Sequence, residues 1–139
     1  MKTLIKLIVF VLCTTFANAQ DNNGQTITVS IDNVLNNKGK VVISLHTTET
    51  FMKGPGVQNV ETKIKDGKVS AIFKNIEPGE YAILVLHDEN ENNRMDFELN
   101  GMPKENFATS NNIMSFGPPQ FGESKFEIKS EDINLKIRF

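Results

Sequence analysis

The sequence predicts an all-β protein: a single antiparallel β-sandwich of about seven short strands with a long ordered loop after the central strand. Apolar and polar residues alternate over several short segments, and turn residues separate those segments. No convincing helical periodicity appears after the N-terminal stretch. A chain of 139 residues is also the size of one domain.

The N-terminal stretch has the pattern of a signal peptide. Lys2 and Lys6 are positively charged, residues 4–16 are mostly apolar, and Ala17-Asn18-Ala19 is a small-x-small cleavage site. The apolar run is shorter than the roughly 20 residues that a transmembrane helix needs. We therefore predict a signal peptide at 1–19, cleavage near Ala19, a β-sandwich domain at 20–139, and a secreted or periplasmic location.

Charge and cysteine content exclude several classes of function. The one cysteine, Cys13, lies in the signal region, so the mature chain has neither a disulfide nor a thiol. Removal of Lys2 and Lys6 changes the formal net charge from −2 to −4. Nucleic-acid binders carry basic patches, so we expect no nucleic-acid partner. No basic amphipathic stretch is present either, and we expect no membrane insertion after signal removal.

The first strands are predicted from alternation with a period of two. Residues 26–31 alternate polar and apolar, a turn-forming stretch follows at 36–39, and a second strand occupies 41–45. We predict that these two strands form a hairpin or are close neighbours in one sheet. Two further strands are predicted at 60–65 and 69–73, separated by the turn at Asp66-Gly67.

The later strands include the one that we expect to be central. Pro78-Gly79 forms a turn, and the near-continuous apolar run 81–86 is typical of a strand that is covered on both faces. Strands at 126–128 and 133–139 close the chain.

Residues 88 to about 123 show no periodic element, and a connection of this length is generally functional or disordered. Its many apolar residues favour an ordered loop. We expect most of its phenylalanines to pack into the core. The alternative is that residues 97–121 form a surface for a protein or glycan partner.

The polar start of this loop predicts a Ca²⁺ site. Asp88, Asn90, Asn92 and Asp96 occupy loop positions 1, 3, 5 and 9, the spacing by which a tight loop wraps oxygen ligands around Ca²⁺. The backbone carbonyl of Arg94, at position 7, would supply a further ligand. These five residues are the predicted metal ligands, and no catalytic residue is assigned.

The loop departs from an EF-hand in two places. Position 6, usually Gly, is Asn93, which tolerates the left-handed conformation best after Gly. Position 12, where an EF-hand has a bidentate Glu, is Leu99, so Glu98 or Glu105 would have to complete the ligand shell. We expect a weak site with a Kd on the order of 10⁻⁴ to 10⁻³ M, as in extracellular modules.

Two other interpretations of the loop remain. Asn and Asp also dominate metal-free turns, so the loop could be a solvated Asx-rich turn. Alternatively, Asp88, Asp96 and Glu105 could serve a carbohydrate-active or other hydrolase, which would hold paired carboxylates across a groove. His46 and His87 end apolar runs, but a zinc site needs a third ligand. We expect these histidines to be hydrogen-bonded residues at the rim of the sheets. For the protein as a whole we expect a binding role rather than catalysis.

The order of several motifs resembles one bacterial family. They are Pro78-Gly79-Glu80-Tyr81-Ala82, His87-Asp88-Glu89-Asn90-x-Asn92 with Asp96, Gly101-Met102-Pro103-Lys104-Glu105, Ser110-Asn111-Asn112 and Gly117-Pro118-Pro119-x-Phe121, followed by Phe126. Together they resemble the secreted bacterial domain of unknown function 2141 family over nearly all of the mature chain. The resemblance implies a transthyretin-like or carboxypeptidase-regulatory-like sandwich and brings no established activity. The family often has Gly in the metal-like loop where this chain has Glu91 and Asn93.

Overall fold

Eight strands form two sheets in the computed structural model, which describes residues 24–114 and 117–139. The predicted signal peptide at 1–19 lies outside these residues. The strands are β1 (Gln25–Ile31), β2 (Lys40–His46), β3 (Gln58–Thr62), β4 (Val69–Ile76), β5 (Gly79–Asp88), β6 (Phe107–Thr109), β7 (Phe126–Ile128) and β8 (Ile133–Lys136). A 3₁₀ turn, Ser110–Asn112, follows β6, and a single helical turn, α1 (Phe121–Ser124), precedes β7. The prediction of an all-β sandwich is confirmed.

The smaller sheet has the strand order β4-β1-β8. β1 pairs antiparallel with β4, opposing Ile31 to Val69, and parallel with β8, opposing Ile27 to Ile133. The parallel pair departs from the wholly antiparallel arrangement predicted above. Alternation shows which residues of β8 face inward, but it carries no information about the direction in which the strand runs beside its neighbour.

β5 is the central strand of the larger sheet, as predicted. The order is β3-β2-β5-β6, and β7 pairs with β5 on the same side as β6. The first three residues of β5 pair with β7, and residues 84–86 pair with β6. Because β5 is ten residues long, one edge of it holds two short strands in succession. Its last residue, Asp88, still pairs with Lys40 of β2.

The core lies between the two sheets and draws on both. β1 contributes Ile27, Val29 and Ile31, while β2 contributes Val41, Ile43 and Leu45, all fully buried. Phe73 of β4 is the largest of the fully buried side chains in the described residues. Alternate residues of these strands point away from the core, which is the pattern expected for sheets with one covered face.

The predicted pairing of the first two strands is wrong, because β1 and β2 belong to different sheets. The linker between them crosses from one sheet to the other. Val34 anchors this crossing: its side chain is buried, and its N–H donates to the carbonyl of Gly67 at 3.0 Å. At the end of the linker Gly39 has a φ of +62°, and an added Cβ there would collide with the backbone of Asp88.

The long loop contains structure that the sequence did not indicate. β6 has only three residues, too few for an alternation to be visible, and is held by its pairing with β5.

Nothing helical in the described residues is long and apolar enough to cross a membrane.

Candidate functional site

The loop after β5 winds around the carboxylate of Asp88. This residue ends β5 and is fully buried. Its Oδ1 accepts the N–H of Asn92 at 3.0 Å, and its Oδ2 accepts the N–H of Asn93 at 2.7 Å. Backbone N–H groups are strong donors to a carboxylate, so one buried acceptor sets the curvature of the whole loop.

The other predicted side chains converge on a single oxygen. Asn90 Nδ2 lies 2.6 Å and Asn92 Nδ2 lies 2.8 Å from Oδ2 of Asp96. The amide oxygens face the backbone instead: Asn90 Oδ1 accepts the N–H of Asn92 at 3.2 Å, and Asn92 Oδ1 accepts the N–H of Arg94 at 3.0 Å. The structure therefore brings Asn90, Asn92 and Asp96 to one point, with amide N–H groups directed at the carboxylate.

Arg94 contributes through its backbone and its side chain. Its carbonyl oxygen accepts no hydrogen bond from any residue in the described segments. Its guanidinium Nε lies 3.8 Å from Asp96 Oδ1, but the Arg94 side chain is largely exposed to solvent. Water screens such an ion pair, which contributes little to the free energy of folding.

Two residues of the loop have left-handed backbone conformations. Asn93 has a φ of +62°, which matches the expectation for loop position 6, and Glu91 has a φ of +59°. Asn adopts this region readily, whereas a long side chain such as Glu does so at a cost of about 1 kcal/mol or more. The loop is therefore strained at Glu91.

Glu105 joins the loop to the hairpin that follows it. It is buried, its Oε1 accepts the N–H of Glu89 at 3.0 Å, and its Oε2 accepts the N–H of Asp96 at 3.2 Å. Both carboxylate oxygens are thus used to hold the start and the end of the loop. Sequence analysis considered Glu105 as a ligand or a catalytic acid and missed this role, because a separation of 9 to 16 residues carries no local signal.

The remaining carboxylates do not extend the cluster. Glu98 pairs with Lys104 at 3.9 Å across the following hairpin, and Leu99 is fully exposed at its tip. No group of three or more His, Cys, Asp or Glu within residues 24–114 and 117–139 has a geometry suited to a metal. A cation at the loop would therefore depend on amide and backbone oxygens besides the two aspartates.

The two histidines lie near strand ends and have hydrogen-bond partners, as predicted, but they are not at an exposed rim. Both are buried. In the β2–β5 pair, His46 opposes Ala82 and His87 opposes Val41, so they lie five residues, about 16 Å, apart along the ladder. His87 places Nε2 2.9 Å from the Lys38 carbonyl oxygen and its ring against Phe139. The alternation of β5 explains the burial of His87, since it places His87 on the same face as Val85.

His46 has a polar and an aromatic neighbour. Its Nδ1 lies 3.2 Å from Thr50 Oγ1, and its ring packs edge-on against Phe51 with a centroid distance of 5.8 Å. Burial lowers the pKa of His46 from its usual value of 6.5, while the contact with Thr50 acts in the opposite direction.

The expectation that most phenylalanines of the long loop pack into the core is wrong for Phe97 and Phe107, and Phe116 lies outside the described residues. Phe97, Leu99, Met102, Phe107, Ile113 and Met114 are exposed. Phe121 is half-buried and packs against Phe51 at 5.7 Å. A cavity of about 400 Å³ opens between β6, α1 and the C-terminal residues, with Phe107, Pro119 and Arg138 in its wall.

The fold and the loop define a class of protein: an all-β sandwich domain whose central strand leads into an Asx-rich loop. Hydrogen bonds to the buried Glu105 hold both ends of this loop. A family described as an uncharacterized protein conserved in bacteria, domain of unknown function 2141, matches residues 29–136. The chain belongs to this bacterial family, as the order of its motifs predicted. No curated protein and no solved structure matches it.

Proposed function

We propose that the chain is a secreted, non-enzymatic β-sandwich domain whose Asp88–Asp96 loop binds Ca²⁺. The observation that carries the proposal is the convergence of Asn90 and Asn92 on Asp96, with both amides within 2.8 Å of one carboxylate oxygen. Three side chains that carry oxygen meet at one point, and rotation of the two amide groups would turn their oxygens toward a cation there. Export follows from the 1–19 pattern and predicts a mature chain that begins at Gln20.

Rotation of the two amide groups turns their oxygens toward Asp96. Each rotation gives up two hydrogen bonds: the one that the amide oxygen accepts from a backbone N–H, worth about 1 kcal/mol, and the one that Nδ2 donates to the charged Asp96 carboxylate, worth about 1.5–3 kcal/mol. For Asn92 N the loss is small, because this group also donates to Asp88 Oδ1. Ca²⁺ prefers oxygen ligands and its bonds to them offset this cost.

The loop offers further oxygens to the ion. The Arg94 carbonyl is without a hydrogen-bond donor among the described residues, and its position in the loop is that of the backbone ligand in calcium loops. Asp88 accepts one N–H on each oxygen, and a carboxylate has about four lone-pair sites, so it keeps acceptor capacity. With two carboxylates and several neutral oxygens, affinity in the millimolar range is expected.

The test is a Ca²⁺ titration of thermal stability. With a Kd of about 1 mM, about 10 mM Ca²⁺ stabilises the folded state by about 1.4 kcal/mol, which raises Tm by a few degrees. Asp96→Asn keeps the shape of the side chain and removes its charge, so the Ca²⁺ shift should disappear. Glu98→Gln is the matched control, because it removes a neighbouring charge that pairs with Lys104 outside the loop.

Equal shifts for wild type and Asp96→Asn would contradict the proposal, since nonspecific ion effects do not depend on this carboxylate. Absence of any shift in wild type at roughly 10-fold higher Ca²⁺ than the expected Kd of about 10⁻³ M would contradict it as well. The loop would then be an Asx-rich turn held by Asp88 and Glu105 alone.

A further inference from the structure

The cavity between β6, α1 and the C-terminal residues has walls that the 3₁₀ turn after β6 ties together. Ser110 Oγ donates to the carbonyl of Ser124, the last residue of α1. Asn111 Nδ2 lies 3.0 Å from each of the carbonyl oxygens of Glu123 and Lys125. Two consecutive side chains of the turn therefore fasten α1 to the end of β6.

The same turn also fastens the C-terminal residues and β5. Asn112 Nδ2 donates to the Lys136 carbonyl at 3.0 Å, and Asn112 Oδ1 accepts the N–H of Arg138 at 2.8 Å. Ser110 Oγ accepts the N–H of Ile83, in the middle of β5, at 2.9 Å. The motif Ser-Asn-Asn thus uses all three of its side chains to hold the elements around the cavity.

The cavity has the size and the rigidity of a ligand pocket. Its volume is about 400 Å³, within the range of about 300–1,000 Å³ that small-molecule sites occupy. Asn111 and Asn112 have left-handed backbones, with φ of +69° and +53°. Such conformations persist where the surroundings fix them, and they are concentrated at binding sites. A pocket held in shape before binding loses little entropy when a ligand enters it.

Two buried hydroxyl groups in the cavity wall have no partner. Thr109 is 5% exposed and Ser124 is 1% exposed, and both line the cavity. Neither hydroxyl forms a hydrogen bond within the described part of the chain. Among the described side-chain N and O atoms that are sealed from solvent, only His87 Nδ1 lacks a partner, so the two hydroxyls are reachable from the cavity. Buried hydroxyl groups normally have a hydrogen-bond partner, and a ligand in the cavity supplies one.

The other wall residues define the chemical class of the ligand. Phe107, Ile113 and Pro119 supply apolar surface. Arg138 and Glu123 also line the cavity, and both are exposed to solvent. In the described residues neither of them forms an ion pair. From its buried to its exposed side, the cavity therefore offers hydroxyls, apolar surface and one charge of each sign.

We propose that this cavity binds a small zwitterion with an apolar body and a polar tip, the chemistry of an amino acid such as tyrosine. Arg138 pairs with the carboxylate and Glu123 with the ammonium group. The hydroxyls of Thr109 and Ser124 bond to the tip. The proposal goes beyond Ca²⁺ binding and does not depend on it.

The test is a titration of the mature chain with L-tyrosine, followed by amide NMR shifts in EDTA, which removes Ca²⁺. A Kd on the order of 10⁻⁴ M is expected for a ligand of this size. The shifts should be confined to the cavity wall. L-phenylalanine, which lacks the hydroxyl tip, and tyramine, which lacks the carboxylate, should each bind about tenfold more weakly, because each loses a hydrogen-bonded polar group.

Variants assign these differences to the wall residues. Thr109→Val should remove the preference for tyrosine over phenylalanine, and Arg138→Gln should remove the preference for tyrosine over tyramine. Thr109→Val should not destabilise the free protein, because the lost hydroxyl has no partner there. Thr28→Val and Lys74→Gln are the matched controls, because these residues lie on the smaller sheet and do not line the cavity.

Three results would overturn the proposal. The first is the absence of amide shifts at roughly ten times the expected Kd of about 10⁻⁴ M. The second is equal affinity of wild type for tyrosine, phenylalanine and tyramine, because the polar groups of the wall would then recognise nothing. The third is a set of shifts that lies away from the cavity wall. Unchanged preferences in Thr109→Val and Arg138→Gln would overturn the assigned contacts and the proposal with them.

Discussion

Asp88 shows how much one buried carboxylate can organise. The N–H groups of Asn92 and Asn93 both donate to its carboxylate. The chain that leads from Asp88 to these groups therefore turns tightly, with positive φ at Glu91 and Asn93. Asn accepts that conformation with little strain, whereas Glu does not. The loop thus contains one residue that favours its conformation and one that opposes it.

Replacement of Glu91 by Gly should therefore stabilise the protein. Gly adopts the left-handed region without steric cost, and relief of the strain is worth about 1 kcal/mol after the larger entropy of the unfolded Gly chain is subtracted. Urea unfolding of Glu91→Gly measures this gain. Asn93→Gly is the control and should change the free energy of unfolding by a few tenths of a kcal/mol at most. A destabilised Glu91→Gly would contradict the strain argument.

His46 couples folding to pH through its burial. Its pKa is lower in the folded state than the usual 6.5, because the buried ring is poorly solvated when charged. Above pH 6.5 the ring is neutral in both folded and unfolded states. As the pH falls from 6.5 toward the folded-state pKa, the unfolded state takes up a proton that the folded state does not, and stability decreases.

His46→Gln should flatten this pH dependence. The free energy of unfolding of wild type is expected to fall as the pH drops below about 6.5, and the fall should be smaller in the variant, whatever its absolute stability. Denaturant unfolding at several pH values measures both curves. His87 is present in both proteins, so the difference between the curves reports His46. Parallel curves would show that His46 does not cause the effect.

At the scale of elements, Glu105 connects the start and the end of the loop that follows β5. It receives the N–H of Glu89 from the start of the loop and the N–H of Asp96 from its end. These two hydrogen bonds hold the loop and the base of the hairpin against the end of β5. Hydrogen bonds to a charged acceptor are worth more than neutral ones, about 1.5–3 kcal/mol each.

Glu105→Gln should destabilise the protein by about 2 kcal/mol, because the new amide N–H₂ group faces one of the two backbone donors. Hydrogen exchange at the amides of Glu89 and Asp96 should accelerate, which a general loss of stability would not do selectively. Glu98→Gln removes an exposed charge of the same hairpin and should have little effect. Unchanged exchange at both amides in Glu105→Gln would show that the Glu105 carboxylate does not hold the loop.

For the molecule as a whole, the pairing of strands depends on distant contacts. β1 and β2 are consecutive and alternate alike, yet they contribute to opposite sheets, and β8 returns from the far end of the chain to run parallel to β1. β6 is a strand only because β5 is long enough to pair with it beside β7. Local sequence signals contain none of these relationships.

The sequence by itself determined the fold class, most strands, the central position of β5, and the residues of the polar loop, because alternation and turn chemistry are local properties of the chain. The family match over residues 29–136 agrees with the motifs read in order. Only the tertiary structure decided which strands share a sheet, that His87 is buried, that Glu105 staples the loop, and that the tip at Leu99 is exposed. These features depend on contacts between residues that are not neighbours in sequence, or on the lack of such contacts at Leu99, so no short segment can encode them.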